Sequence, residues 1–504
     1  SFNENIYQSA RKFRRNYVMS NFKYDNAFDN ERLEYVKDQI KKEESLEKPF
    51  LEGLVDKEIN FFDKSLSKID DQEFNSWSRS HGGNKNTHYD SNNFINKNNV
   101  ENLKLQWVYT SIEDEKMEKK WLQGIQSNPI FFDNKIIAVN PDWTIVALNP
   151  LDGKLIWKIN SIQEPSRRGM IAEYDKNLKK NFLYMHIGRS LYKFDLKNGK
   201  RVKEFGKNGA IKDYSKVAPI LYENKIITAF FSLNIFDKNS GKKIKKIKFH
   251  PKRNFQGGVS WGGAAFDEKK GMVFITTGNP RPGSYGVNRS GDNKNSNSII
   301  AFDINQEKIK WSFQETAHDL WDYDIASPPI IFDLVVGSKI FETVIVTTKV
   351  GNTLIFERNT GQPIYDIKYK EAPKSKMSGE YTAKYQILLD KPERFSEIEF
   401  KMDHLSSLSN EERKKINKKM KNAIYGWYEP PAFGKDLFVY GVHGGAQWPG
   451  AALDPVNQDI FIPVNNDPWI IRPQILSREA RTSFPISLKK NHDDYINLCS
   501  SCHG

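Results

Sequence analysis

The spacing of apolar positions changes near residue 76. Residues 1–75 are rich in charge and place apolar side chains three to four positions apart, as at Leu33, Val36 and Ile40. That spacing is typical of an amphipathic helix. From Trp77 onward, short apolar runs alternate with Gly, Asn, Asp and Pro, for example at 135–139 and 344–348. The pattern predicts a helical extension over 1–75, followed by an all-β domain over 76–490.

A turn of related sequence recurs through the β region. Each copy starts with an acidic or amide residue, continues through a short polar turn that usually ends in Gly-Lys or Gly-Gln, and in two copies reaches a tryptophan. The copies begin at Asn149, Asp195, Asp237, Asp303 and Glu357, about 40 to 70 residues apart. Unrelated hairpins in a β-sandwich are the alternative, but the same turn at this spacing favours one four-stranded blade per copy. We therefore predict an eight-bladed β-propeller.

Composition narrows the function classes. The net charge is +13, but the lysines are scattered through turns and along 414–421, which indicates a solvated surface rather than a nucleic-acid site. The longest apolar run, about 328–337, contains a charge and is too short to span a bilayer. We therefore expect neither a nucleic-acid partner nor a transmembrane segment in this chain.

Both cysteines lie at the end of the chain, in a CxxCH pattern formed by Cys499, Cys502 and His503. Two thiols at this spacing can bond to the vinyl groups of a haem, and the adjacent histidine can bind its iron. A short-range disulfide and half of a zinc site are the alternatives. The pattern predicts that residues 491–504 begin a cytochrome c domain carrying haem c, and haem c implies a periplasmic protein.

The stretch 261–324 holds the densest set of polar motifs. Asn279, Asp319, Asp322 and Asp324 supply enough oxygen ligands for a hard cation. For any one of these residues, capping a turn between strands is the alternative role. Together they predict a functional site.

These motifs resemble those of the quinoprotein dehydrogenases that use pyrroloquinoline quinone (PQQ), a family of eight-bladed propellers. The similarity spans most of 76–475, and its strongest motifs are Gly-Asn-Pro at 278–280 and His-Asp-Leu-Trp-Asp at 318–322. Four further segments look most like the membrane glucose dehydrogenase branch, which oxidises aldoses and polyols: 166–169, 205–209, 349–361 and 428–431.

The resemblance implies roles for the cofactor-binding residues. Trp261 would form the floor under the PQQ ring, a flat surface suited to stacking, with core filling as its alternative role. Lys349 would hydrogen-bond the reactive quinone oxygens. Arg168, within 166–169, and Gln447 with Trp448, in a segment that closes over the cofactor, would complete the PQQ site.

The resemblance also implies the catalytic and metal-binding roles. Asp322 would be the general base that takes the proton of the substrate hydroxyl. Asn279, Asp322 and Asp324 would bind Ca²⁺ or Mg²⁺, and the extra carboxylate of Asp324 makes a lanthanide a minor alternative. In the strand 182–191, where the family places a further metal-binding carboxylate, this chain has His186 instead.

The sequence thus predicts a PQQ-dependent dehydrogenase that acts on a hydroxyl of a sugar, polyol or alcohol. Its electrons would pass to haem c, to a separate cytochrome c or to a quinone. A non-catalytic propeller used for binding or assembly is the alternative. The four residues Trp261, Asn279, Asp322 and Lys349 favour the enzyme, whereas the missing carboxylate near His186 favours the alternative.

Overall fold

The computed structural model describes residues 77–92, 94–111, 126–250, 255–401 and 409–473. The predicted helical extension over 1–75 and the CxxCH motif with the predicted haem domain over 491–504 lie outside the described residues. Within the described ranges, no helix is both long enough and apolar enough to cross a membrane.

Four antiparallel sheets of four strands follow one another along the chain. Their strands are β1 Ile130–Phe132, β2 Lys135–Val139, β3 Ile145–Leu148 and β4 Leu155–Ile159; β5 Ile171–Asp175, β6 Lys180–Ile187, β7 Ser190–Asp195 and β8 Ala210–Lys212; β9 Ile220–Tyr222, β10 Lys225–Ala229, β11 Ser232–Asp237 and β12 Lys243–Lys248; and β14 Ala264–Asp267, β15 Met272–Thr276, β17 Ser298–Asp303 and β18 Lys308–Gln314. Each sheet joins its strands in chain order, as the blade of a propeller does.

The remaining sheets of the described residues have fewer strands. A fifth sheet has three strands, and the other strands form pairs: β19 Ile330–Val336, β20 Lys339–Thr347 and β21 Thr353–Glu357; β13 Gln256–Gly257 with β16 Pro280–Arg281; β22 Ile367–Glu371 with β23 Tyr385–Leu389; β24 Leu437–Val439 with β29 Trp469–Ile471; β25 Gly445–Ala446 with β28 Val464–Asn465; and β26 Ala452–Asp454 with β27 Asp459–Phe461. In the part of the chain that the structure describes, an α-helix, α1, spans Asn410–Met420, and Ser409 caps its first turn. Single 3₁₀ turns lie at Ser80–Gly82 and Val100–Asn102.

The hydrophobic core lies between successive sheets. One buried cluster joins β10 and β11 to β15 and β17, and contains Ile227, Leu233, Val273 and Ile300. A second cluster joins the first sheet to the second, and a third joins the β14–β18 sheet to the fifth sheet. Burial falls toward the last strand of a sheet: every residue of β14 is buried, whereas most of β12 is exposed. Face-to-face packing of consecutive sheets is the arrangement of a β-propeller.

The recurring turn holds one sheet against the next, as the sequence predicted. The indole of Trp157 packs on Gly199 in the next copy of the turn, and its Nε1 donates to the Leu196 carbonyl at 2.9 Å. Trp311 does the same with Gly361. A Cβ on either glycine would lie within 3 Å of the ring, so the turn needs glycine there. The prediction of an all-β propeller is confirmed, and eight blades remain a prediction.

Candidate active site

Four connections between strands supply the predicted site residues. Trp261 lies between β13 and β14, and Asn279 lies between β15 and β16. Asp322 and Asp324 are on the segment between β18 and β19, and Lys349 is in the turn between β20 and β21. Sheet packing brings these connections together, so residues up to 88 positions apart in the sequence share one site.

Asp324 is the centre of this arrangement. Its Oδ2 accepts hydrogen bonds from Trp261 Nε1 at 2.8 Å and from the Asn279 backbone N–H at 3.1 Å. A Cβ on Gly278 would lie 2.3 Å from the same oxygen and 2.6 Å from Trp261 Nε1. Position 278, in the Gly-Asn-Pro motif, therefore needs glycine, because any side chain there would collide with the Asp324 carboxylate and the Trp261 indole.

The buried Lys349 and the partly buried Asp322 form an ion pair beside Asp324. The Lys349 ammonium lies 3.2 Å from Asp322 Oδ2 and 3.4 Å from Asp324 Oδ1, and it also donates to the carbonyls of Asp322 and Val442. The Asn279 side-chain amide donates to the other oxygen of Asp322. Asp322 adopts a left-handed backbone conformation, with φ of 66°, which turns its side chain toward these partners.

The ionisation of this pair is set by burial and by charge. Burial raises the pKa of Asp322 to about 7; Lys349 opposes the rise, and Asp324 adds to it. Burial by itself lowers the pKa of Lys349, but Asp322 and Asp324 outweigh it and leave that pKa above its ordinary value. The site therefore couples a permanently charged ammonium to a carboxylate that titrates near neutral pH, which suits a general base.

Arg168, Trp261 and Trp448 form a layer of one cation and two aromatic rings in the site. The guanidinium carbon of Arg168 lies 4.5 Å from the centre of the Trp261 ring and 5.3 Å from that of Trp448, and Arg168 Nη1 donates to the Trp261 carbonyl at 3.3 Å. Trp261 also packs with Phe230 in a small apolar cluster. The predicted residues Trp261, Arg168 and Trp448 are thus neighbours, whereas the Gln447 side chain donates to the Gly444 carbonyl within its own turn.

Asp319, which the sequence presents as a possible cation ligand, instead binds backbone N–H groups. Its Oδ1 accepts from the Trp321 N–H, and its Oδ2 accepts from the Tyr323 N–H and from Asn297. Burial raises the pKa of this carboxyl. Asp319 shapes the loop that carries Asp322 and Asp324, so the oxygen set available for a cation reduces to Asn279, Asp322 and Asp324.

A cavity of about 560 Å³, which no sequence motif indicates, is lined by residues next in the chain to Arg168 and Phe230. Its wall includes Ser166 and Arg167, next to Arg168 in the chain, and Phe231, next to Phe230. Four basic residues line it, namely Arg167, Arg189, Lys212 and Lys216. These positions are dispersed through the sequence, and only the folding of three loops brings them to one cavity.

His186 and Asp213 form a buried pair in the wall of the cavity. His186 Nε2 lies 2.8 Å from Asp213 Oδ2, and Asn234 donates to the other oxygen of Asp213 at 2.9 Å. Burial is the largest influence on Asp213 and acts to raise its pKa. Hydrogen bonding to His186 and Thr228, together with the charges of His186 and Lys243, outweighs burial, so the pKa is lowered. His186 Nδ1 is buried, and within the described residues it has no hydrogen-bond partner. In the sequence, His186 indicates only that this chain lacks the carboxylate that the family places in the strand 182–191.

Metal-ligating chemistry in the site is limited to two carboxylates and one amide. In the part of the chain that the structure describes, no group of three or more His, Cys, Asp or Glu side chains is arranged to hold a metal ion. The carboxylate and amide oxygens of Asn279, Asp322 and Asp324 are the ligand type that hard cations prefer. Lys349 contacts the same carboxylates, so an added cation would share them with the ammonium.

Comparison with known proteins defines the class. The family model for the β-propeller domain of PQQ-dependent glucose/ethanol/alcohol dehydrogenases matches residues 77–228 and 235–494. The chain therefore belongs to this family of PQQ β-propeller proteins.

Individual relatives are distant. Quinoprotein glucose dehydrogenase A of Acinetobacter calcoaceticus is 24% identical over 441 residues, which cover 72% of this chain and 54% of the relative. The europium-containing methanol dehydrogenase structure superposes with a TM-score of 0.57 at 17% identity, covering 81% of this chain and 71% of that one. Quinohemoprotein alcohol dehydrogenase from Comamonas testosteroni superposes with a TM-score of 0.53 at 19% identity, covering 78% and 58%. The two structures share the fold, and the chain spans about half the length of the curated relative.

Proposed function

We propose that this chain carries the cofactor-binding and catalytic domain of a PQQ-dependent dehydrogenase that oxidises a hydroxyl group of a sugar, polyol or alcohol. The observation that carries the proposal is the largely buried Asp322–Lys349 ion pair beside the Trp261 indole. It puts a base with a pKa of about 7 and a fixed positive charge at the edge of a flat aromatic surface.

The residues present fit PQQ, a planar tricyclic quinone with three carboxylates. The Trp261 indole is a flat surface suited to stacking on a planar ring, and in this structure the Arg168 guanidinium lies over it. The cavity described above offers Arg189, Lys212 and Lys216 for carboxylates, while its fourth basic residue, Arg167, pairs with Glu164. His186 Nδ1 is a buried polar atom without a partner in the described residues. We assign Gln447 and Trp448 to the segment that closes the site.

Asp322 acts as the base. Bound PQQ would supply a quinone that accepts a hydride from the substrate carbon. Asp322 Oδ2 takes the hydroxyl proton as that carbon is oxidised, and Asn279 and Lys349 hold the carboxylate in place. The Lys349 ammonium would stabilise the negative charge that develops on the oxygens of a bound quinone.

The ligand chemistry of Asn279, Asp322 and Asp324 fits a hard cation, and we assign Ca²⁺ or Mg²⁺ to them, with a lanthanide as the alternative. Two carboxylates are enough for Mg²⁺, which keeps several of its waters. The bound cation would lie beside the positive charge of Lys349 and be repelled by it. The affinity of the site for the cation therefore depends on the position of the Lys349 ammonium.

The remaining assignments concern electron transfer and location. We propose that electrons leave one at a time for haem c at Cys499, Cys502 and His503, or for a separate cytochrome c or a quinone, and that the protein works in the periplasm. These assignments come from the CxxCH motif and from the family. A pyridine haemochrome assay of the protein tests the haem.

Calorimetric titration of the chain with PQQ, in Ca²⁺ and then in La³⁺, tests the proposed function. One-to-one binding that needs a cation supports it. Absence of binding in both ions contradicts it and leaves the non-catalytic binding or assembly module, which the missing third carboxylate favours. Asp322→Ala should abolish turnover and leave PQQ binding largely intact, because Asn279 and Asp324 remain as ligands for the cation; turnover at the wild-type rate would contradict the role of Asp322.

A further inference from the structure

The turn that carries Lys349 is held by a buried carboxyl group outside the ion pair. This turn, residues 348–352, joins β20 to β21. Glu315 follows β18 and is 1% exposed. One oxygen of Glu315, Oε1, accepts from Thr348 Oγ1 and from Asn352 Nδ2, each at 2.8 Å. A single atom therefore ties together the two ends of the turn.

The backbone of the turn reinforces this contact. The Thr348 N–H donates to the Asn352 carbonyl at 3.0 Å, and the Asn352 N–H donates back to Thr348 Oγ1 at 3.2 Å. On the opposite side, the Ala446 N–H donates to the Thr348 carbonyl, and a Cβ on Gly445 would lie 2.3 Å from the Lys349 carbonyl. The turn is thus packed between Glu315 and β25, and the position of the Lys349 ammonium follows from both contacts.

We propose that Glu315 is a positioning residue for Lys349, which holds the 348–352 turn so that the ammonium reaches Asp322 and Asp324. Glu315 contributes its geometry rather than its charge. Burial raises the pKa of Glu315 to about 7, so the group is largely neutral below that pH and adds no third negative charge near the ion pair. Its Oε2 is buried and has no partner among the described residues, so glutamine can take its place with Oε1 unchanged.

Chemical labelling of lysines tests the proposal without any cofactor. Lys349 is fully buried, and Lys193, in β7 of another sheet, is 2% exposed and serves as an internal control. The reagent is acetic anhydride, and mass spectrometry gives the rate at each lysine. Glu315→Ala removes two hydrogen bonds from the turn, so the labelling rate of Lys349 should rise about 30-fold while that of Lys193 stays constant.

Matched variants separate this role from general damage. Glu315→Gln should restore slow labelling of Lys349. Glu357 caps the next turn by accepting from Asn359 and Thr360, so Glu357→Ala removes a similar cap at the far end of β21 and should leave Lys349 protected. If Glu315→Ala fails to fold, Asn352→Ala removes one of the two bonds and should raise the rate about fivefold. Equal increases at Lys349 and Lys193, or no increase at Lys349, would overturn the proposal.

Cofactor binding gives an independent result, which rests on the proposed function. Glu315→Ala should weaken PQQ binding by calorimetry in the wild-type background and should have no further effect in the Lys349→Ala background, because Glu315 acts through Lys349. An additional loss in the double variant would contradict the proposal. If the wild-type chain does not bind PQQ, the proposed function fails, and the labelling rates alone decide the role of Glu315.

Discussion

Replacement of Lys349 by methionine should move the pH dependence of turnover. The ammonium lies 3.2 Å from Asp322 Oδ2 and 3.4 Å from Asp324 Oδ1, and it opposes the effect of burial on Asp322. At an effective dielectric constant of about 20, one unit charge at about 3.2 Å is worth about 5 kcal/mol, or between three and four pKa units. This value is an upper limit, because water can enter and Asp324 can share the proton.

We therefore expect the pKa of Asp322, about 7 in the wild-type protein, to rise by at least ~1 unit in Lys349→Met. The base works only when ionised, so activity should be lost on the acidic side, and the midpoint of the acidic limb should move to pH ~8 or above. The measurement is kcat against pH with PQQ at saturation. A ¹³C NMR titration of the aspartate carboxyls gives the same shift without cofactor.

Lys349→Arg is the matched control, since it keeps the positive charge while it changes the shape of the donor. It should retain the acidic limb near that of the wild-type protein even if kcat falls. An unchanged limb and an unchanged carboxyl titration in Lys349→Met would refute the reasoning, because the pKa of Asp322 would then not depend on this ammonium.

Three further predictions follow from the geometry. Trp261→Ala should abolish PQQ binding in calorimetry. Trp311→Ala, which removes a contact between sheets, should reduce the free energy of unfolding by about 3–5 kcal/mol, seen as a lower melting temperature, and leave PQQ affinity unchanged. Equal losses of affinity in the two variants would contradict this. Gly278→Ala should disrupt the site because its Cβ would meet Asp324 at 2.3 Å, whereas Gly283→Ala, with its nearest neighbour at 3.4 Å, should bind PQQ normally. The pKa of Glu315 is about 7 in the folded state, against an ordinary value of 4.5, so its contribution to stability is present below pH 4.5 and is lost as pH rises through 7. The free energies of unfolding measured in urea at pH 5 and pH 8 should differ by up to about 3 kcal/mol from this group, and Glu315→Gln should remove that difference.

The class of fold could be read from the chain because its signals are local. The repeated Gly-containing turns, the strand-length apolar runs and the tryptophans at fixed offsets each specify a blade without reference to the rest of the protein. The structure confirms the contacts that they imply, as between Trp157 and Gly199. The sequence also predicts that Asn279 and Asp322 belong to a functional site, because the residues around them lie in two short segments, 278–280 and 318–322.

Other features depended on packing between distant segments. The sequence shows Asp319, Asp322 and Asp324 as equivalent carboxylates, and only the fold turns Asp319 toward backbone N–H groups while Asp322 and Asp324 face Lys349. Glu315 carries no local signal, because its partners in the 348–352 turn are more than 30 positions away.

The sequence by itself determined which chemical groups are present and which turns they occupy, because turn and strand preferences act over a few residues. The tertiary structure decided which of those groups are desolvated and which charges they meet. Burial and neighbouring charge set the ionisation of Asp322 and Lys349, and both depend on how the sheets pack rather than on the order of the residues.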